Sequence, residues 1–166
     1  MFELAMAASS SIAAHYSYDV FINHRGPDVK KTFASHLYRD LSKYGLKVFL
    51  DDPEMQPGDS LIRQIEGAVG TASVHVAVFS SRYAESRWCL VELLLMLKSG
   101  KTIIPVFYDV KPADLRAGGK YAEELAKKGT CGGKRKRYDS DTIEEWRNAL
   151  SHVAGISGFE LEKCNG

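Results

Sequence analysis

Short runs of β-branched and aromatic residues alternate with helical patterns along this chain, and the alternation limits its possible folds more than any other feature. Strands separated by helix-length segments predict a parallel sheet that is covered by helices on both faces. The predicted strands are residues 18–22, 46–50, 74–79, 103–108 and 158–161. The sequence therefore predicts an α/β domain with a five-stranded parallel sheet.

The first predicted helix runs from about residue 28 to residue 44. Pro27 suits its first turn and Gly45 stops it. Its apolar residues recur at helical spacing, and they are Phe33, Leu37, Leu41 and Tyr44. The other predicted helical segments are residues 60–69, a helix ending near 98, a broken region over 112–128, and an amphipathic helix carrying Ile143, Trp146, Leu150 and Val153 on one face. Loops are predicted at 51–59 and at 129–140, the second of which holds the basic run 134–137.

Residues 89–97 form an apolar helical segment that contains one carboxylate, Glu92. A helix that is apolar all round is largely buried. Burying even a neutral polar group without a partner costs about 2–7 kcal/mol, so we expect Glu92 to be paired, to face a cleft, or to be catalytic. Trp88 lies four residues earlier on the same helical face. A lone acid beside an aromatic side chain is typical of a small-molecule pocket, whereas an ion pair of Glu92 with Arg87 or Lys98 on the helix surface is the alternative.

Polar residues follow each of the first four predicted strands, at 23–26, 51–52, 80–81 and 109. In open α/β sheets, ligands bind in the crevice outside the carboxyl ends of the strands, where the strand order reverses. The helix with Glu92 starts shortly after the third strand. We therefore expect these polar groups to converge with Glu92 and Trp88 on one rim of the sheet.

The composition predicts a single soluble domain. A chain of 166 residues can bury a substantial core, and a formal net charge of +1 predicts neither bulk nucleic-acid binding nor attraction to acidic membranes. No apolar run approaches the roughly 20 residues of a membrane span. The three scattered cysteines fit neither a metal site nor an even disulfide set, which predicts a cytoplasmic or also nuclear location. Residues 1–15 are predicted to be a flexible tail, and 16–166 to be the domain.

Three segments resemble, in the right order, the signature motifs of plant Toll/interleukin-1 receptor (TIR) domains. They are YDVFINHRGPD at 18–28, SRWCLVEL at 86–93 and FYDVKPADLR at 107–116. The resemblance extends from about residue 16 to residue 161. It implies a flavodoxin-like sheet and an NAD⁺ glycohydrolase, with NAD⁺ or NADP⁺ as substrate and no bound cofactor or metal. The product would be a nucleotide signal in plant immunity and cell death.

The resemblance also assigns roles to residues. The essential acid of the family falls on Glu92, and the loop after the second strand, 51–59 here, gates the pocket. Family members assemble through the first helix, where Ser35 and His36 occupy the contact position. The family's second, nucleic-acid-hydrolysing activity depends on a cysteine that falls on Cys89, whose alternative role is packing in the core.

The remaining pocket residues have two interpretations each. Trp88 would stack on a planar ring of the substrate or pack in the core. Arg25 and Gly26 would hold the diphosphate, or Arg25 would form an ion pair with Asp28 or Asp51. The other candidate substrate contacts are His24, Asp51, Gln56 and Ser80. Asp51 and Gln56 equally suit a plain turn, and Ser80 equally suits the end of a strand. The basic run 134–137 suits a solvated loop, a nuclear signal or a nucleic-acid patch.

The chain departs from the family pattern at three points. His24 replaces a more usual aromatic residue and Pro27 an acidic one, and the family's last helix is apparently missing after the fifth strand. With no further module attached, the chain most resembles a stand-alone TIR protein. The alternative function is a non-catalytic module that signals by docking with other TIR domains.

Overall fold

The protein is an α/β domain built on one parallel sheet. The computed structural model describes residues 17–50, 59–129 and 138–162. Five strands are paired in the order β2-β1-β3-β4-β5, and every pair is parallel. This is the flavodoxin-like order, in which the direction of strand addition across the sheet reverses between β1 and β3. The strands are β1 (Val20–Asn23), β2 (Val48–Leu50), β3 (Val74–Phe79), β4 (Thr102–Tyr108) and β5 (Phe159–Leu161).

Helices connect the strands and cover both faces of the sheet, as the alternation predicts. They are α1 (Gly26–Val29), a π-helical segment (Lys30–Ala34), α2 (Ser35–Lys43), α3 (Asp59–Thr71), a 3₁₀ turn (Tyr83–Glu85), α4 (Arg87–Lys98), α5 (Pro112–Leu115), α6 (Lys120–Gly129) and α7 (Ser140–Ala154). Within the described ranges, none of the helices combines the length and the apolar character needed to cross a bilayer.

The sheet separates two hydrophobic cores. The larger one contains buried residues of α3, α4, α6 and α7 packed on Phe21, Phe79 and Phe107 of the strands. The smaller one lies under the first helical segments, where Phe33, Leu37 and Leu41 pack against valines of the sheet. The long apolar helix that the sequence predicts is therefore a core element, with Leu90, Leu93 and Met96 fully buried.

The first helix differs from its prediction in three ways. It begins at Gly26 rather than at residue 28, its second turn is π-helical, and it ends at Lys43. Tyr44 was expected on the apolar face but is 87% exposed. Gly45 has a φ of 83° and turns the chain away at this point, which leaves Tyr44 outside the core.

The ends of the first two strands also shift. The first strand covers Val20–Asn23 and not residues 18–22, and the second begins at Val48 and not at residue 46. The main chain at Leu46 still bonds back to the carbonyl of Leu41, so this residue belongs to the turn after the helix. The predicted tail 1–15, most of the predicted gating loop, and the basic run 134–137 lie outside the described residues.

Candidate active site

Glu92 occupies a buried position in the middle of α4. The helix starts at Arg87 because the Ser86 hydroxyl caps it by accepting a hydrogen bond from the main-chain N–H of Cys89, at 3.3 Å. From this start, the face that packs on the sheet carries Cys89, Glu92 and Leu93. Glu92 is only 3% exposed, so it does not lie on the helix surface, where an ion pair with Arg87 or Lys98 would place it.

The Glu92 carboxylate meets the carboxyl end of the first strand. Asn23 is the last residue of β1, is fully buried, and donates a hydrogen bond from Nδ2 to Oε2 of Glu92 at 2.8 Å. β1 lies directly beside β3, at the position where the strand order reverses. Glu92 therefore lies at the strand-end crevice where the fold class binds its ligands.

Tyr83 lies behind Asn23. Its hydroxyl donates to Oδ1 of Asn23 at 2.5 Å and also lies 3.0 Å from the carbonyl oxygen of Cys89. Burial raises the pKa of Tyr83 well above its ordinary value, and the nearby Cys89 and Glu92 raise it further. The hydroxyl consequently stays protonated at all physiological pH values and can act as a permanent donor.

Trp88 lies at the start of the same helix and is half-buried. The guanidinium of Arg87 sits 5.5 Å from the centre of the Trp88 ring and 5.9 Å from that of Tyr138. This stacking is within cation–π range. The charge of Arg87 is thus directed toward two aromatic rings rather than along the helix toward Glu92.

Arg25 and Ser80, two of the expected substrate contacts, are both joined to Asp28. Arg25 Nη1 lies 2.6 Å from Asp28 Oδ1, and Ser80 donates from Oγ to Asp28 Oδ2 at 2.6 Å. Arg25 also approaches Glu85 at 3.4 Å. The arrangement at Arg25 is the ion pair with Asp28 that the sequence offers as the alternative, so a bound diphosphate would have to share this guanidinium with two carboxylates.

His24 and Cys89 lie inside the protein next to this region. His24 is 4% exposed and its main-chain oxygen accepts a hydrogen bond from Cys89 Sγ at 3.4 Å. Cys89 is also 4% exposed, as expected of a packed thiol. Gly26 is buried at the first position of α1. Asp51 and Gln56 lie outside the described residues.

The expected self-association residues lie away from this rim. Ser35 and His36 are the first two residues of α2, where Ser35 is half-buried and His36 is exposed. Tyr38 on the same helix is 40% exposed. The position is compatible with a contact between molecules and does not involve Glu92.

A surface cleft of about 510 Å³ lies beyond the start of α4 and does not include Glu92. Its walls carry charges that pair with each other, such as Arg82 with Glu85 at 2.9 Å and Lys127 with Glu124 at 3.5 Å. The Arg82 side chain lowers the pKa of Glu85. Since Glu92 does not line this cleft, we do not assign the bond that is cleaved to it.

Tyr83 was not singled out from the sequence, whereas Asn23 was included only in the polar stretch after the first strand and Asp28 only as the alternative partner of Arg25. Asn23, Tyr83 and Glu92 are far apart in the sequence but are joined by hydrogen bonds in the structure. The hydrogen-bond partners of Asp28 follow two different strands, and one of them is Ser80. A polar residue at the end of a predicted strand was the one available signal, and it held for Asn23. Nothing in a single sequence marks Tyr83, because a buried tyrosine has the same pattern as any core aromatic residue.

The arrangement is suited to stabilising positive charge. A buried carboxylate accepts hydrogen bonds from neighbouring hydroxyl groups, and its charge acts strongly where water is excluded. Glu92 has such surroundings at the strand ends. The site can therefore stabilise a cation that forms on a hydroxyl-bearing substrate.

The chain is similar to known proteins both in sequence and in structure. A family model described as TIR domain matches residues 17–166. The chain is 38% identical over 155 residues to TMV resistance protein N of Nicotiana glutinosa, covering 91% of this chain and 13% of that protein. It is 51% identical over 98 residues to the probable 2' cyclic ADP-D-ribose synthase BdTIR of Brachypodium distachyon, covering 59% of this chain and 44% of that protein. The chain therefore spans less than half the length of either relative.

A solved structure also matches closely. The TIR domains in the structure of the activated Roq1 resistosome, which directly recognises the pathogen effector XopQ, superpose with a TM-score of 0.75 at 39% identity. The match covers 87% of this chain and 88% of that chain.

Proposed function

This chain belongs to the TIR domain family, and from that premise we propose that it cleaves the nicotinamide–ribose bond of NAD⁺ or NADP⁺. The observation that carries the proposal is Glu92, a carboxylate that is 3% exposed and bonded to the last residue of β1 at the strand-end crevice. Burying a charge in this way is costly. A function that needs the charge explains why it is kept.

The reaction needs little else from the protein. When the C1′–N bond breaks, its electron pair goes to nicotinamide, which leaves as a neutral ring and needs no strong acid. The ribose is left as an oxocarbenium-like cation, as in other glycoside cleavages. Glu92 stabilises this cation and accepts hydrogen bonds from the ribose hydroxyls. Water then adds at C1′ and loses a proton to solvent, which yields ADP-ribose.

The product can also be a cyclic ADP-ribose isomer. In that case a hydroxyl group of the same molecule takes the place of water at C1′, and no net water is consumed. The relative named as a probable 2' cyclic ADP-D-ribose synthase supports this possibility. Mass spectrometry separates the two outcomes, because the cyclic product is lighter than ADP-ribose by one water.

Nicotinamide release tests the proposal. The parent chain and Glu92→Ala are incubated with NAD⁺ at high protein concentration, and nicotinamide is measured over time. Release by the parent with loss in the variant supports catalysis by Glu92. Equal release from both chains would defeat it.

We further propose that activity depends on assembly and serves plant immunity and cell death, in the cytoplasm with the nucleus as a second location. Support comes from the exposed His36 on α2, and from relatives named as resistance proteins and resistosome domains. His36→Ala should lower NAD⁺ cleavage without changing the Glu92 site, whereas His152→Ala, another exposed histidine on α7, should not. Full activity in a His36 variant that sedimentation shows to be monomeric would rule out this dependence.

The second candidate is a docking module without catalysis. The exposed face of α2 favours it, because His36 and Tyr38 offer a contact surface that is independent of Glu92. The two candidates differ in one result. A parent chain that self-associates but releases no nicotinamide, even when crowded, is a docking module.

A further inference from the structure

A buried polar cluster stands behind the proposed catalytic carboxylate, formed by Asn23, Tyr83 and the carbonyl group of Cys89. We propose that Asn23 and Tyr83 are positioning residues, which orient the Glu92 carboxylate toward the crevice through one directed chain of hydrogen bonds. The inference rests on the proposed function, since it assigns these residues to the same reaction.

The cluster is sealed from solvent. Asn23 and Tyr83 are both 0% exposed. The chain of donors runs from Tyr83 Oη to Asn23 Oδ1 at 2.5 Å, and from Asn23 Nδ2 to Glu92 Oε2 at 2.8 Å. A second contact of Asn23 Nδ2, with the carbonyl oxygen of Cys89, is longer at 3.4 Å. Buried polar groups of this kind are costly unless each is bonded.

The direction of the chain follows from the chemistry of its ends. An ionised carboxylate only accepts hydrogen bonds, so Asn23 must turn its NH₂ group toward Glu92. Its carbonyl oxygen then faces Tyr83 and needs a donor, which the hydroxyl supplies. Reversing the amide would place two oxygen atoms against each other at Glu92. Tyr83 therefore fixes the orientation of the Asn23 side-chain amide, and Asn23 in turn fixes the position of the Oε2 atom of Glu92.

The three partners come from three separate elements. Asn23 ends β1, Tyr83 opens the 3₁₀ turn after β3, and Glu92 lies in α4. Their hydrogen bonds connect α4 to the end of β1 and to the 3₁₀ turn, and they hold the Glu92 carboxylate at the carboxyl ends of the strands. Misplacing a reacting group by about 1 Å costs on the order of 100-fold in rate. A network that holds Glu92 in place therefore acts on the rate more than on substrate binding, to which Glu92 contributes only through the ribose hydroxyls.

The first test removes one oxygen atom. Tyr83→Phe should lower kcat for nicotinamide release by about 10-fold or more, with KM changed by less than about threefold. Tyr121→Phe is the matched control. Tyr121 is 1% exposed, stacks 6.1 Å from Tyr83 with the ring planes 8° apart, and donates to the carbonyl of Ser80 instead. Its variant loses an equally buried hydroxyl but should keep kcat within about threefold of the parent.

The second test places a carboxylate where the amide donor was. In Asn23→Asp two carboxylates face each other, and such a pair holds one proton as the pH falls. The shared proton restores a hydrogen bond to Glu92. The ratio of variant to parent kcat should therefore rise as the pH is lowered, by about 10-fold over the range in which the pair takes up its proton. Tyr83, Cys89 and Tyr121 are titratable groups that interact in this part of the structure, and the buried His24 directly follows Asn23. All four are the same in both proteins.

The outcomes separate the two proposals. Each rate is divided by the folded fraction of the protein, which near-UV circular dichroism measures. If Asn23→Asp does not fold, the result for Tyr83→Phe alone tests the positioning role. In a parent whose activity requires Glu92, equal kcat losses in Tyr83→Phe and Tyr121→Phe overturn the positioning role alone. A ratio for Asn23→Asp that falls as the pH is lowered does the same. A parent that releases no nicotinamide overturns the proposed function and this inference with it.

Discussion

Asp28 is predicted to be the main structural support of the strand-end rim. Its carboxylate accepts three hydrogen bonds: from Arg25 at 2.6 Å, from the Ser80 hydroxyl at 2.6 Å and from the main-chain N–H of Arg82 at 3.3 Å. Its side chain is 9% exposed, and that of Arg25 is 15% exposed. Asp28→Ala removes all three bonds and leaves Arg25 with Glu85 at 3.4 Å.

The expected cost follows from these contacts. A hydrogen bond to a charged group contributes about 1.5–3 kcal/mol. The two short bonds dominate, and water recovers part of the loss because the site is near the surface. We therefore expect Asp28→Ala to lower the free energy of unfolding by about 3 kcal/mol. For a chain of this length that corresponds to a fall of about 6–12 °C in Tm.

Urea unfolding of the parent and the variant measures this difference. Asp40→Ala is the control, because Asp40 is 62% exposed and pairs with Lys43 at 3.5 Å on the helix surface. Exposed pairs contribute about 0–1 kcal/mol, so this variant should unfold almost as the parent does. A loss for Asp28→Ala no larger than that for Asp40→Ala would refute the idea that Asp28 holds the rim together.

Two further predictions concern stability. Gly158→Ala should destabilise the protein by about 2 kcal/mol or more, because an added Cβ would lie 2.2 Å from the carbonyl oxygen of Pro105. Gly67→Ala in α3, where an added Cβ meets nothing within 4 Å, should stabilise the protein by about 0.5–1 kcal/mol. A change in Tm of the same sign for both variants in thermal unfolding would contradict this contrast. Burial lowers the pKa of His75, so below pH 6.5 the unfolded chain binds a proton that the folded chain refuses, and stability falls. His75→Gln should remove up to about 1.4 kcal/mol per pH unit of that slope as the pH falls below 6.5, and equal slopes in urea titrations would exclude His75 as its source.

The alternation of strands and helices was sufficient to predict the sheet and its parallel arrangement. All five predicted strands exist, and the apolar segment around Glu92 is a buried helix as expected. Ends of elements were less predictable. Tyr44 continued the apolar spacing of the first helix, but the left-handed turn at Gly45 ended that helix before Tyr44 could be buried.

The site was predictable in location and less so in its contacts. The strand-end rule brought Asn23, Ser80 and Glu92 to one region, because parallel strands end on the same edge. The rule does not say which polar groups bond to each other. The sequence left Arg25 with a diphosphate contact or an ion pair with Asp28 or Asp51, and Ser80 with a substrate contact or a strand end. In the structure both are bonded to Asp28, since a nearby carboxylate is a stronger partner than solvent.

The central claim is tested most directly by Glu92→Gln. This change keeps the size of the side chain and an oxygen acceptor for Asn23, and it removes the charge. Glu144→Gln is the control, since Glu144 lies exposed on α7 and pairs with Arg147. Nicotinamide release from NAD⁺ should fall by at least about 100-fold in Glu92→Gln and stay at the parent level in Glu144→Gln. Release by Glu92→Gln at the parent rate would show that the buried charge does not act on the dinucleotide.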